Sequence, residues 1–294
     1  MSRQWKGKTR GGTLGHRIFI FLLKHVGLSA AYFLLIFVAP YFVFFVPKAR
    51  KPMYFYFRKI HGFSRLESFK YLFINNFRFG QVLIDKVALL SGLESKYTFD
   101  FEGEENLHQM AANKGGFIIG AHMGNWEIAG NLLKRINTTV HIVMLEAEHE
   151  SIKNMLDEVM TEKSMKIIPI KDDLSHLFAI REAMDRNELI AIHGDRFLSG
   201  SKSVTMDFMG YQADFPAGPL SLAIRYNKPV TFVSAIKKPN QHYHFFSTRP
   251  KTYNSDRKVF DQSLKSALGE YIQQLEQTIK NYPEQWFNYY YFWK

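Results

Sequence analysis

The chain has 294 residues, 46% of them apolar, no cysteine and a formal net charge of +11. The apolar content excludes a disordered chain, and the length is ample for a buried core. The lack of cysteine excludes disulfides, thiol catalysis and cysteine-ligated zinc or iron–sulfur centres.

The charge is unevenly spread. Residues 1–66 hold 12 Lys and Arg and no acid, since the first acidic residue is Glu67. The rest of the chain holds 26 bases against 27 acids. A near-neutral globular part therefore follows a basic leader. Within the leader, Val26–Val46 runs for 21 residues without a charge, interrupted only by Gly27, Ser29 and Pro40. As a helix it would be about 32 Å long, against a hydrocarbon core of about 30 Å. Arg3, Lys6, Lys8, Arg10, Arg17 and Lys24 precede it, and Lys48, Arg50, Lys51, Arg58 and Lys59 follow it.

This pattern predicts a membrane element whose flanking bases sit on anionic headgroups. A cleaved signal peptide does not fit, because the run is too long and Val46-Pro47-Lys48 is no small-residue cleavage site. Nucleic acid does not fit either, because the bases bracket a lipid-length run and do not track a polar groove. Bases on both sides, together with Pro40, leave spanning and monotopic insertion both open. The expected organisation is a membrane-anchoring segment over 1–60 and a single α/β domain over 61–294.

From Tyr54 to Leu90 aromatics recur at helical spacing. Strands and helices then alternate. Strands are predicted at Phe117–Ala121, Val140–Leu145, Lys166–Ile170, Leu189–Ile192 and Val230–Ile236. Between them helices are predicted at Trp126–Ile136, Glu150–Thr161, after a cap at Asp172 or Asp173, and near Leu220–Tyr226, with a loop-rich region over 194–218. Val259–Lys280 closes the series, with Leu264, Leu268, Tyr271, Leu275 and Ile279 on one helical face. The alternation predicts an α/β fold with a mostly parallel or mixed sheet flanked by helices.

Two segments carry the chemistry. In Gly115–Gly130 a buried strand runs into His122, and a helix opens around Asn125–Glu127. A histidine at the carboxyl end of a strand lies where open α/β sheets bind ligands. Glu127, five residues on, is placed to reach back and fix the imidazole tautomer, which makes the pair a candidate general base. In Leu189–Phe197 a second strand runs into Gly194-Asp195-Arg196. Arg196 is suited to a phosphate or a developing oxyanion. Gly194–Ser203 lacks the spacing of a nucleotide-binding loop. Zincin and serine-hydrolase motifs are absent. His242 and His244 share a strand face, which suits exposed strand residues better than metal ligands. The seven aromatics within Trp286–Trp293 fit either a membrane-interface belt or a terminus packed on the sheet.

The motifs together resemble the bacterial lipid A biosynthesis acyltransferase family, within the lysophospholipid acyltransferase superfamily. They are the basic amphiphilic leader, His122 and Glu127 in a His-x4-Glu signature, Gly194-Asp-Arg196 and Phe208-Met-Gly210, followed by Phe215-Pro-Ala-Gly-Pro219 and Tyr282-Pro-Glu-Gln-Trp286. The resemblance implies acyl transfer from an acyl carrier protein or coenzyme A thioester to a hydroxyl or amine of a membrane lipid or glycolipid. It implies His122 and Glu127 as catalytic, and Asn125, Gly194, Asp195, Arg196, Pro216 and Gly218 around the substrate. It also implies no metal, no organic cofactor and no nucleic acid, with the catalytic domain on the cytoplasmic side of the inner membrane. Lipid A-type late acylation is the first expectation. Lysophospholipid, aminolipid and aryl-polyene or resorcinol-type acceptors are alternatives. A membrane-bound lipid hydrolase and a non-enzymatic lipid-binding module are the rivals from other classes.

Overall fold

A computed structural model describes residues 19, 21–23, 25–90, 93–125, 135–145, 165–171, 173–196 and 200–294. The apolar run forms helix α1 (Leu28–Phe45), which continues through Pro40. Ala31, Leu35, Ala39 and Val43, four residues apart, are its buried stripe. Phe33, Ile36, Phe37, Tyr41, Phe44 and Phe45 are exposed. The stripe packs along α3 (Arg65–Leu90), where Gly80 leaves room for Leu35; an added Cβ would lie 2.6 Å from a Leu35 methyl. α3 begins at a capping box in which Glu67 accepts the Ser64 backbone N–H and Ser64 Oγ accepts that of Glu67.

Between these helices lie α2 (Pro47–Phe55) and a π-helical turn over Tyr56–Ile60. Met53, Tyr56 and Phe57 are buried in the principal core, as is Val43 of α1. Tyr56 donates a hydrogen bond to the Pro283 carbonyl at 3.1 Å. Packing thus runs across position 60, joining the leader to the globular part.

Among the described residues the main sheet has seven strands: β1 (Thr98–Glu102), β2 (Gly116–Gly120), β3 (Val140–Leu145), β4 (Met165–Ile170), β5 (Leu189–His193), β8 (Val230–Lys237) and β9 (His242–Ser247). Its spatial order is β1-β9-β8-β2-β5-β3-β4, and every neighbouring pair is parallel except β8 with β9. The predicted mostly parallel α/β architecture is what the chain adopts. One face of the sheet, with Phe117, Ile119 and Phe232, packs on α6 (Gly218–Arg225) and α7 (Phe260–Asn281). On the other face Ile118, Val140 and Leu189 meet Met110 of α4 (Glu104–Ala112). α5 (Ser175–Asp185) follows β4, and Asp173 accepts the Ser175 N–H at its start.

The region predicted as loop over 194–218 contains an antiparallel hairpin, β6 (Ser203–Phe208) with β7 (Tyr211–Pro216). Met209 and Gly210 both have positive φ, as a tight hairpin turn requires. The terminal aromatics resolve in favour of packing. Trp286, Phe292 and Trp293 are buried against Tyr56, Phe208 and Phe215. The predicted helices at 126–136 and 150–161 fall mostly outside the described residues, and so does Glu127.

Candidate active site

β2 and β5 are adjacent, parallel and in register, with Gly120 opposite His193. Chains leaving two such strands emerge at the same edge, so His122 and Asp195 become neighbours although 73 residues apart in sequence. His122 Nδ1 lies 2.7 Å from Asp195 Oδ1, and the His122 backbone N–H donates to Asp195 Oδ2 at 2.9 Å. Trp286 Nε1 also donates to Oδ2, at 3.3 Å, and Tyr290 Oη donates to the Asp195 carbonyl at 3.3 Å. The carboxylate is 1% exposed. Burial alone would raise its pKa, but the charge of His122, its hydrogen bond and Arg196 outweigh burial and hold it well below the usual carboxylate range. Asp195 is therefore ionised, and an ionised partner at Nδ1 keeps the proton there. Nε2 then carries the lone pair.

The turn that follows is strapped down on both sides. The His122 carbonyl accepts the Phe287 N–H at 2.9 Å, and the Gly124 N–H donates to the Gln285 carbonyl at 2.9 Å. The Asn125 N–H donates to Ala235 at 2.7 Å. Gly124 has φ +63° and approaches β8 so closely that a Cβ would stand 1.9 Å from the Ala235 oxygen. No other residue fits there without displacing the strand.

His122 opens onto a cavity of about 600 Å³. Its described lining is apolar along mid-strand positions, with Phe245, Val233, Ile118, Ala191 and Ile142 in order across the sheet. Cations gather at the carboxyl edge, where Lys171 follows β4, Arg196 follows β5 and Lys202 precedes β6. Arg196 is fixed by donating to the Phe287 carbonyl at 2.6 Å, the same residue whose N–H holds His122.

Of the expected substrate-binding residues, Arg196, Pro216 and Gly218 line this cavity. Gly194, Asp195 and Asn125 do not. Gly194 is needed for packing, since a Cβ would fall 2.9 Å from Ile119 Cγ2 and 3.0 Å from Tyr271. Asn125 is fully buried, and its amide donates to the Val82 carbonyl and the Tyr243 hydroxyl, each at 3.3 Å. Asp195 sits behind the imidazole. The family resemblance placed it around the substrate, and the strand register brings it into contact with His122.

His193 is the residue that sequence reasoning passed over. Its ring centroid is 4.4 Å from that of His122, and burial, followed by the charge of His122, lowers its pKa to about 3. It is neutral at physiological pH. Nitrogens of both histidines and an Asp195 oxygen lie within 4.8 Å of one another, a spacing that also suits a three-ligand metal site. His242 and His244 have a separate purpose: both bond Asp100 at 3.0 Å, tying β9 to edge strand β1.

The family described as bacterial lipid A biosynthesis acyltransferase matches residues 75–294. Phosphatidylinositol mannoside acyltransferases from two strains of Mycobacterium tuberculosis, H37Rv and CDC 1551, are 25% identical over 116 residues. Each match covers 39% of this chain and only 36% of the relative's length. The crystal structure of the 1-acyl-sn-glycerophosphate acyltransferase PlsC from Thermotoga maritima aligns over 82% of this chain and 95% of its own, at 13% identity and a TM-score of 0.36. Since the family match takes in three quarters of the sequence and both segments that build the His122 edge, the chain belongs to the bacterial lipid A biosynthesis acyltransferase family.

Proposed function

We propose that the chain is an acyltransferase that moves a fatty acyl group from a thioester to a hydroxyl or amine of a membrane lipid, with His122 as general base. The observation that carries this reading is the His122–Asp195 pair at the mouth of a largely apolar cavity. Nε2 takes the acceptor's proton as its oxygen or nitrogen attacks the thioester carbonyl. The tetrahedral intermediate collapses with cleavage of the C–S bond, and the imidazolium returns the proton to the departing thiolate. Asp195 stabilises the imidazolium while it exists. Arg196 is offered either to the oxyanion or to a phosphate of one of the substrates. The mid-strand trough receives the acyl chain. Glu127 belongs to the same proposal as a second carboxylate acting on the imidazole.

The donor in this reading is an acyl carrier protein or coenzyme A thioester. The acceptor is a glycolipid of the lipid A type or a related lipid, and the mannoside in the relatives' name supports a sugar-bearing one. The exposed aromatic face of α1 supports attachment to a membrane. Its expected location is the cytoplasmic face of the inner membrane.

The test is thioester-dependent acylation of membrane lipids by the purified full-length chain. Labelled acyl group should appear on lipid with the wild type and not with His122→Ala. Release of free fatty acid without acylated lipid would point to a hydrolase instead.

A further inference from the structure

Away from the cavity, the described structure buries a complete ion pair. Asp85 of α3 is 0% exposed and Lys237 of β8 is 3% exposed, with Nζ 2.6 Å from Asp85 Oδ2. The other oxygen, Oδ1, accepts from the Tyr97 hydroxyl at 2.9 Å and from the hydroxyl of Tyr32, which lies on α1. Tyr243 of β9 donates to Oδ2. The ammonium also lies over the Tyr243, Tyr32 and Tyr97 rings, at 4.8, 5.4 and 6.0 Å from their centroids. A carboxylate, an ammonium and three phenols are thus drawn together from α1, α3, the segment before β1, β8 and β9.

This cluster touches no part of the cavity, yet it reaches the active-site turn by two routes. The Tyr243 hydroxyl accepts from the Asn125 amide at 3.3 Å, three residues beyond His122. The Lys237 backbone N–H and carbonyl are both engaged by the Gln285 side chain, at 2.9 and 2.8 Å, and the Gln285 carbonyl holds Gly124. Both paths end on the turn that sets the His122 ring against Asp195. Tyr97 and Tyr32 both donate to Asp85 Oδ1, but the Tyr32 hydroxyl also accepts from Lys237 Nζ at 3.2 Å, so Tyr97 is the more peripheral of the two and serves as the comparison.

We infer that Asn125 and Tyr243 are positioning residues for His122, and that the Asp85–Lys237 cluster joins the seat of α1 to the geometry of the active-site turn. The inference rests on His122 being the base, but its test does not require turnover. With the full-length chain in lipid nanodiscs and ¹⁵N-labelled histidine, the Nδ1–H resonance of His122 is identified by its loss in His122→Gln. That proton stays slow to exchange only while the ring is held on Asp195. In Tyr243→Phe and in Asn125→Ala it should be lost to exchange with water. In Tyr32→Phe it should shift or broaden, and in Tyr97→Phe it should keep its wild-type position and width.

Persistence of the wild-type line in either Tyr243→Phe or Asn125→Ala, in a variant that folds, would overturn the inference, as would equal loss in Tyr97→Phe. Using two variants from opposite ends of one hydrogen bond keeps the test decisive if one of them does not fold. If His122→Ala still transferred acyl groups, the base assignment would fail while these spectra could still come out as expected. The two failures are therefore distinguishable.

Discussion

Two buried carboxylates of this chain sit in opposite settings. Asp85 is surrounded on every side, by Lys237 and three tyrosine hydroxyls. Asp195 is as deeply buried, but the imidazole it holds is 17% exposed and faces the cavity. A fully satisfied charge network rigidifies; a network whose last member keeps a free lone pair at a cavity wall is equipped for proton transfer. Asp85 projects from helix α3, whereas Asp195 follows strand β5. The difference is whether the outermost partner is saturated.

The largest expected effect follows from breaking the reactive pair. His122→Ala and Asp195→Asn should each lower the acyl-transfer kcat by roughly 10²–10⁴-fold, the usual contribution of an oriented general base. Their unfolding midpoints should change far less than their rates. Breaking the saturated pair should show first in stability. Asp85→Ala strands a buried ammonium and should cost about 3–5 kcal/mol in denaturant unfolding. Asp85→Ala unfolding like wild type would erase the distinction.

Acid should lower stability through two buried histidines. His193, with its pKa lowered to about 3, and His61, lowered to about 4, bind fewer protons folded than unfolded. Below the ordinary histidine value of 6.5 the unfolded chain therefore gains protons that the native chain refuses, and stability falls. Asp195 adds to this below 3.8, because its depressed pKa favours the native state only while it is ionised. The melting temperature should decline steadily from pH 6.5 to 4.5, and His193→Asn should flatten that slope.

Smaller still, Tyr97→Phe removes one hydroxyl from Asp85 and should cost about 1 kcal/mol in denaturant unfolding with kcat unchanged. The acid–base reading also predicts no effect of a chelator. Loss of activity in EDTA, restored by a divalent metal, would turn the His122–His193–Asp195 group into a metal site.

Much of this was legible in the sequence, for reasons that can be named. The uncharged run 26–46 and the strand–His122 and strand–Asp195 junctions are local patterns, and the fold follows them. The apolar period of α7 is equally plain. What stayed hidden depends on contacts distant in sequence. Asp195 meets His122 only because β5 inserts beside β2, a register that no spacing within either segment encodes. The family resemblance placed Asn125 around the substrate; in the structure it is buried, with its amide on Tyr243, 118 residues away. The β6–β7 hairpin was overlooked although Val204, Met206 and Phe208 alternate as a strand should, because the flanking Gly, Ser and Lys read as loop. The terminal aromatics fitted membrane and core equally well until their partners Phe208 and Tyr56 were known.

The most direct test is lipid mass spectrometry on cells deprived of the chain and then supplied with the wild type or with His122→Ala. The account predicts that one lipid gains the mass of a fatty acyl group only with the wild type, while its lighter precursor accumulates with His122→Ala at equal protein level. Restoration of the acylated lipid by His122→Ala would contradict it.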